Sequence, residues 1–303
     1  MVNGRNAVTL ALFLAVGSAL LGPSSGCGRL APQARKPDTS PTLTDPGGPD
    51  MVLVAAGQAW LGLGEEDFDW VAKKEGPEEG KWFKETYKDR GRRSVTLPAF
   101  YLGRFEVTNE EYAKFVKATS RPAPSFRSKD GHVLLPSWVD GAFPKGLERH
   151  PVVLVSWEDA IAYCEWLSRS TGRRYRLPTE DEWEKAASWD EKAGRKLRYP
   201  WGDDLKTWEG AMDRDPHGCA FRSVCTRPVG SSPADRSPYG LEDMGGNVAE
   251  WVGGRGATNA KLKGGSFLGM TPRVRWMTAV SIEYPAGDEG KHIWRGFRVA
   301  REP

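Results

Sequence analysis

The chain has 303 residues, 39% hydrophobic and 27% charged, which excludes a disordered chain and a multi-span membrane protein. Lys plus Arg number 43 against 40 Asp plus Glu, a formal charge of +3, so no basic excess points to nucleic acid. Glycine (35), proline (22) and tryptophan (13) describe a loop-rich domain anchored by large aromatic side chains rather than a helical bundle.

The first segment reads as an address. Arg5 precedes an apolar run from Ala7 to Leu21, and Gly22-Pro-Ser-Ser-Gly leads to Cys27. The run is shorter than the ~20 residues that span a bilayer and has the form of an export signal. The Gly-Cys junction resembles a bacterial lipoprotein cleavage box, although Ser24 stands where Leu is usual. Residues 1–26 are therefore expected to be a signal peptide and Cys27 the lipid attachment residue. Ordinary secretion or an uncleaved anchor is the alternative. Residues 27–50 carry Pro32, Pro37, Pro41, Pro46 and Pro49 and almost nothing apolar. They are expected to form a disordered tether. Together these predict a lipid-anchored protein of the bacterial cell envelope, on the periplasmic or surface face of the outer membrane.

Residues 51–303 should form one folded domain. Met51 to Gly62 reads as an opening strand. The charge-dense stretch from Glu65 to Arg93, with mixed signs, reads as a solvated loop, with a binding arm as the alternative. Ser94 to Phe105 is a second strand region broken at Pro98. Three capping boxes then mark helix starts: Thr108 with Glu111, Ser156 with Asp159, and Thr179 with Glu182. Tyr112, Phe115 and Val116 should face inward on the first helix. Ala160, Ile161, Cys164 and Leu167 should do so on the second, and Trp183, Ala186 and Ala187 on the third. Past Ala187 helical periodicity fades. The residues alone give an α+β domain with few helices, short strands and long ordered loops.

Eight segments carry a family resemblance. They are Leu97-Pro-Ala-Phe-Tyr-Leu-Gly-Arg-Phe-Glu-Val-Thr-Asn, His150-Pro-Val-Val-Leu-Val-Ser-Trp-Glu-Asp-Ala and Tyr175-Arg-Leu-Pro-Thr-Glu-Asp-Glu-Trp-Glu, then Tyr199-Pro-Trp-Gly-Asp and Pro228-Val-Gly-Ser. Tyr239-Gly-Leu-Glu-Asp-Met-Gly-Gly-Asn-Val-Ala-Glu-Trp, Lys263-Gly-Gly-Ser-Phe and Arg295-Gly-Phe-Arg-Val-Ala complete the set. In this order they resemble the formylglycine-generating enzyme (sulfatase-modifying factor) family. The resemblance implies a C-type-lectin-like variant fold.

It also implies what this chain has lost. The family's enzymes hold copper with two thiolates, three and eight residues beyond the Ser of Gly-Gly-Ser. Those positions are Gly269 and Val274 here, and no cysteine follows Cys225. Soft thiolates suit Cu(I), so no copper is expected. Ala249 replaces a Trp that normally flanks the site, and Trp294 stands where an Asn is common. Ser266, Gly269, Arg273, Val274 and Trp294 thus mark a vestigial active-site region. Ergothioneine-type sulfoxide synthases of the superfamily take iron from a His-x3-His-x-Glu motif, and His132, His150, His217 and His292 lack that spacing.

One family metal site is retained by resemblance: Asp243, Gly246, Val248 and Glu250 match a structural calcium segment, with hard oxygens suited to Ca²⁺. A metal-free loop with Asn247 and Glu250 bonding the backbone is the alternative. Cys219 and Cys225 are placed to form a small disulfide in an oxidising compartment, or a metal or redox pair, leaving Cys164 as a buried free thiol. The function expected is an envelope-tethered, non-catalytic domain binding an unidentified ligand or envelope protein through lectin-like loops. The alternative is an oxidoreductase using copper-independent or unrecognised chemistry. Hypervariable display proteins on this fold predict Asn/Tyr-rich terminal loops, and residues 264–303 hold no Asn and only Tyr284.

Overall fold

The computed structural model describes residues 41–44, 46–125, 137–203, 226–253, 260–267, 281–284 and 290–303. The signal segment, Cys27, Cys219, Cys225, Gly269, Arg273 and Val274 lie outside the described residues.

The folded part begins earlier than expected. Strand β1 (Thr42–Thr44) pairs antiparallel with β2 (Asp50–Val54), so the end of the supposed tether belongs to a sheet. The pairing is local: Leu53 N–H donates to the Pro41 carbonyl at 3.1 Å, and the Thr44 hydroxyl donates to Asp50. The opening strand splits in two, because β3 (Gly57–Leu61) leaves β2 for a separate hairpin with β4 (Arg93–Leu97). Pro98 breaks β4 from β5 (Phe100–Gly103) as expected.

The stretch from Glu65 to Arg93 is not a solvated loop. It folds into α1 (Glu65–Glu75) and α2 (Pro77–Tyr87). Phe68 and Val71 on α1, and Phe83 and Tyr87 on α2, are buried at helical spacing, while the charged residues other than the buried Asp67 lie on the outer faces. Pro77 opens α2, where a missing N–H costs nothing. A Cβ on Gly80 would lie 2.4 Å from that of Ala72, so glycine permits the two helices to touch. Arg90 pairs with Glu180, and Arg93 with Asp181. The hairpin is thereby tied to α5 (Glu180–Ser188).

All three capping boxes form. Helix α3 (Asn109–Thr119) starts at Thr108, α4 (Trp157–Thr171) at Ser156 and α5 at Thr179. In α3, Thr108 Oγ1 accepts from Glu111 N–H at 3.3 Å while Glu111 Oε2 accepts from Thr108 N–H at 2.8 Å. Such a cap stabilises a helix by about 1 kcal/mol. Tyr112 and Phe115 of α3 pack with Tyr163 of α4 and Phe297, and the Tyr112 and Tyr163 rings stack 5.6 Å apart. Ala160, Cys164 and Leu167 are buried as predicted, and Ile161 is half-buried.

Strand β13 (Ala300–Arg301) inserts between β5 and β6 (Tyr175–Arg176), giving the sheet order β1-β2-β5-β13-β6. Strand β13 therefore lies inside the sheet that β1 and β2 open. A small hairpin, β7 (Trp189–Asp190) with β8 (Arg195–Lys196), follows α5. A second sheet runs β11 (Ser281–Tyr284), β10 (Ala260–Lys263), β9 (Ala249–Val252), β12 (Arg295–Gly296), with β9 and β12 parallel. Trp183 and Trp251 are fully buried anchors between these layers.

Candidate functional site

The loop before β9 and the segment after β12 meet around Arg298, which is completely buried. All five of its N–H groups are used. Nε and Nη2 reach the two oxygens of Glu250 at 2.7 Å each. Nη1 donates to the carbonyls of Gly103 (3.0 Å) and Arg104 (3.1 Å), and Nη2 also donates to the Glu242 carbonyl at 2.9 Å. A planar fork with five donors is suited to binding three chain segments at once. Trp183 Nε1 donates to Glu250 Oε2 at 2.8 Å, so Glu250 is held on two sides.

Next to this pair lie three more buried carboxyl groups. Glu106 accepts from Asn247 Nδ2 (2.7 Å) and from Val248 N–H (3.1 Å). Asp243 accepts from Gly230 N–H at 2.6 Å, and both oxygens of Asp235 accept from Gly245 N–H. Asp243 and Asn247 hold positive φ angles of 58° and 61°, a region that Asp and Asn tolerate better than most residues. Asn247 Oδ1 also accepts from Arg227 N–H at 2.9 Å, which fixes the loop.

Burial dominates the electrostatics. It pushes Asp235 up to about 8, with the nearby charge of Asp243 adding to the effect. It pushes Asp243 to about 6. Glu106 is held well above the usual carboxylate range by burial and then by Asp243 and Glu250. Four buried carboxyl groups thus face one buried guanidinium.

Of the residues expected to hold calcium, Asp243 and Glu250 are buried close enough for their charges to interact, but Glu250 has a different partner. With both oxygens on Arg298 and a third bond from Trp183, Glu250 keeps little capacity for a cation. Asp243 has one oxygen on Gly230 and retains room to coordinate. Among the described residues no three His, Cys, Asp or Glu side chains converge as a metal site by themselves. The set fits a hard divalent ion in part: Asp243 with main-chain carbonyls, in a region whose negative charge exceeds its positive charge.

At the vestigial region, Ser266 is buried and its Oγ has no hydrogen-bond partner among the described residues. Trp294 and Ala249 are directly linked, since Ala249 N–H donates to the Trp294 carbonyl at 2.9 Å. The small residue and the large one that depart from the family pattern thus occupy adjoining backbone positions. The Arg295 guanidinium lies 4.5 Å from the Trp294 ring centroid and 5.4 Å from that of Trp251. His150 bonds Thr226 through Nδ1, and His292 packs on Trp294. Cys164 is a buried free thiol whose pKa burial raises.

Glu106 and Arg298 lie within two of the motif segments and Asp235 lies outside them, and nothing local in the sequence marks the role of any of the three. The Arg298 partners lie 48 to 195 residues away in sequence, and no local spacing reports such pairing.

A family model for the sulfatase-modifying factor enzyme 1-like domain matches residues 36–303. A hercynine oxygenase of Mycolicibacterium thermoresistibile is 32% identical over 227 residues, covering 69% of this chain and 46% of that one. A formylglycine-generating enzyme of Mycobacterium tuberculosis is 34% identical over 206 residues, covering 52% and 64%. The chain spans less than half the length of the hercynine oxygenases it matches. Among solved structures, PvdO from Pseudomonas aeruginosa superposes with a TM-score of 0.61 at 25% identity, covering 89% of this chain and all of that one. CarF, at 21% identity and a TM-score of 0.56, shares the fold. The mixed architecture of few helices and short strands is the C-type-lectin-like variant, and the chain belongs to the sulfatase-modifying factor (formylglycine-generating enzyme) domain family.

Proposed function

We propose that this chain is a non-catalytic member of its family, tethered to the bacterial envelope by lipid on Cys27, that binds a ligand or partner protein through its loops. One observation carries the reading: Gly269 and Val274 occupy the two thiolate positions, and neither supplies a donor for Cu(I). Cys164, buried on α4 against the aromatic core, is poorly placed to substitute. The test is to incubate purified protein with Cu(I), oxygen, reductant and a sulfatase-motif peptide. No aldehyde should form; formylglycine at multiple turnovers, abolished by a copper chelator, would overturn the reading. For the tether, mass spectrometry of membrane-extracted protein should find an acylated N-terminus at Cys27. An intact Met1 there would contradict it.

The same proposal includes a structural calcium ion. Asp243 and the carbonyls of Gly246 and Val248 would hold it, with Glu250 contributing charge from its place beside Arg298. The support is the excess of buried carboxyl groups over cations. Bound there, the ion would neutralise the loop that carries β9.

A second reading is favoured by the 32% identity to a hercynine oxygenase and by the unpartnered buried hydroxyl of Ser266. It makes the chain an oxygen-using enzyme with other chemistry. Incubation with Fe(II), oxygen, hercynine and cysteine, read by mass for a sulfoxide product, separates the two readings.

A further inference from the structure

A cavity of about 160 Å³ lies apart from the residues discussed at the copper positions. It is a half-open cleft lined by the turn at Gly48, Pro49 and Asp50, the β5–α3 connection, Glu111 on the first turn of α3, Arg149 and Val229. A dry cavity of about 150 Å³ accommodates benzene, so a molecule of roughly six to eight non-hydrogen atoms is the right size. One part of the wall is apolar, from Phe105, Val107, Val229 and Val299. Another part carries charge of both signs.

The positive group is Arg149. Its guanidinium lies 5.9 Å from the Phe105 ring centroid, and its nearest acid, Glu110, stands at 3.8 Å, beyond hydrogen-bond reach. Its backbone is fixed, because the Arg149 carbonyl accepts from Val229 N–H at 2.9 Å. A side chain this placed offers a two-pronged donor to a carboxylate. The negative groups are Asp50 and Glu111. Asp50 uses Oδ1 for the Thr44 hydroxyl, and Glu111 uses Oε2 for the Thr108 cap. Among the described residues their other oxygens, Oδ2 and Oε1, enter no hydrogen bond. Glu106, also in the wall, is already engaged by Asn247 and Val248.

We infer that this cavity binds a small zwitterion of the α-amino-acid class, its carboxylate on Arg149, its ammonium on Glu111 and Asp50, and its aliphatic side chain against Phe105 and the valines. Hydrophobic burial of a few methyl groups adds affinity, while the paired charges reject molecules with one charge alone. The inference stands on this cavity and does not rest on the absence of copper chemistry.

The probes are L-alanine and L-valine, with isobutylamine and 3-methylbutanoate as the one-charge analogues of valine, titrated by calorimetry into the full folded domain. Valine or alanine should bind, with each analogue at least about tenfold weaker. Arg149→Met should lose binding of the amino acid by about tenfold or more while its melting temperature stays close to that of the native protein. The half-exposed Arg149 side chain makes that variant safe for folding. Asp50→Asn, at the rim, should weaken the amino acid but leave the weak binding of 3-methylbutanoate unchanged. Equal binding of isobutylamine or of 3-methylbutanoate to that of valine would overturn the zwitterion assignment. Unchanged valine affinity in Arg149→Met, or no binding of either amino acid to the native protein, would overturn the site.

Discussion

Two buried ion networks in this domain solve the cost of burying charge in opposite ways. Around Arg298, Glu106, Asp235, Asp243 and Glu250 share a single interior cation, and Glu106, Asp235 and Asp243 bear the strain through raised pKa values. Under α5 the balance reverses. Glu184 meets Lys263 at 3.1 Å and Lys196 at 3.8 Å, while Asp67 meets Arg92 and Arg198, each at 3.0 Å. Here a lysine bears the cost: burial lowers Lys196, against the pull of Glu184 and Asp67. Backbone N–H groups help both networks: Gly230 donates to Asp243 and Gly245 to Asp235 in the first, Gly62 to Glu184 and Gly64 to Asp67 in the second. The lesson is that an excess of cations is absorbed by spreading them over two acids. An excess of acids on one cation leaves room for a further positive charge.

The sharpest way to break this comparison is Arg298→Met. Removing one partner of a buried, fully bonded ion pair costs about 3–5 kcal/mol, and urea denaturation of this variant should show a loss of that order. A loss below about 1 kcal/mol would mean that Arg298 is not the hub described. Lys263→Met should cost less, about 1–3 kcal/mol, because Lys196 and Gly62 remain beside Glu184. Equal or greater loss at Lys263 would invert the ranking of the two networks.

The pH dependence sharpens the contrast with smaller effects. Asp235 binds its proton more tightly in the folded state, so unfolding releases protons between 3.8 and about 8. Stability measured in chelator should therefore fall as pH rises through that window. Lys196 holds its proton less tightly when folded, so unfolding takes up protons between its lowered value and 10.5. That group makes stability rise with pH on the alkaline side. Asp235→Asn should flatten the first slope and Lys196→Met the second, each read from melting temperature against pH. A variant that flattened the other slope would show the assignments to be exchanged.

What was legible in sequence follows the range of the interactions. The caps at Thr108, Ser156 and Thr179 are satisfied by residues three positions away, so the pattern carried its own proof. The hairpin of α1 and α2 is hard to see in sequence because its mixed charges suggest a solvated loop, while each short helix shows only one buried pair, Phe68 with Val71 and Phe83 with Tyr87. Those four residues held the helical period all along. Strand β1 was hidden because a short polar segment shows no alternation, and its partner β2 supplies the order. At the site, Asp243 and Glu250 were visible within one motif. Glu106 bonds Asn247 across 141 residues, and Arg298 reaches Gly103 across 195. Such pairings are set by the sheet order, which places β13 beside β5, and not by any local spacing.

The claim that the acidic network takes a cation is tested most directly by calcium itself. Metal-stripped native protein is melted in chelator and in excess Ca²⁺, beside Asp243→Ala under both conditions. An ion bound only by the folded state stabilises by RT ln(1 + [Ca²⁺]/Kd), about 2.7 kcal/mol at 100-fold excess over Kd. The native protein should melt at a higher temperature with calcium, and Asp243→Ala should show no calcium response. Identical melting of the native protein in both conditions would contradict it.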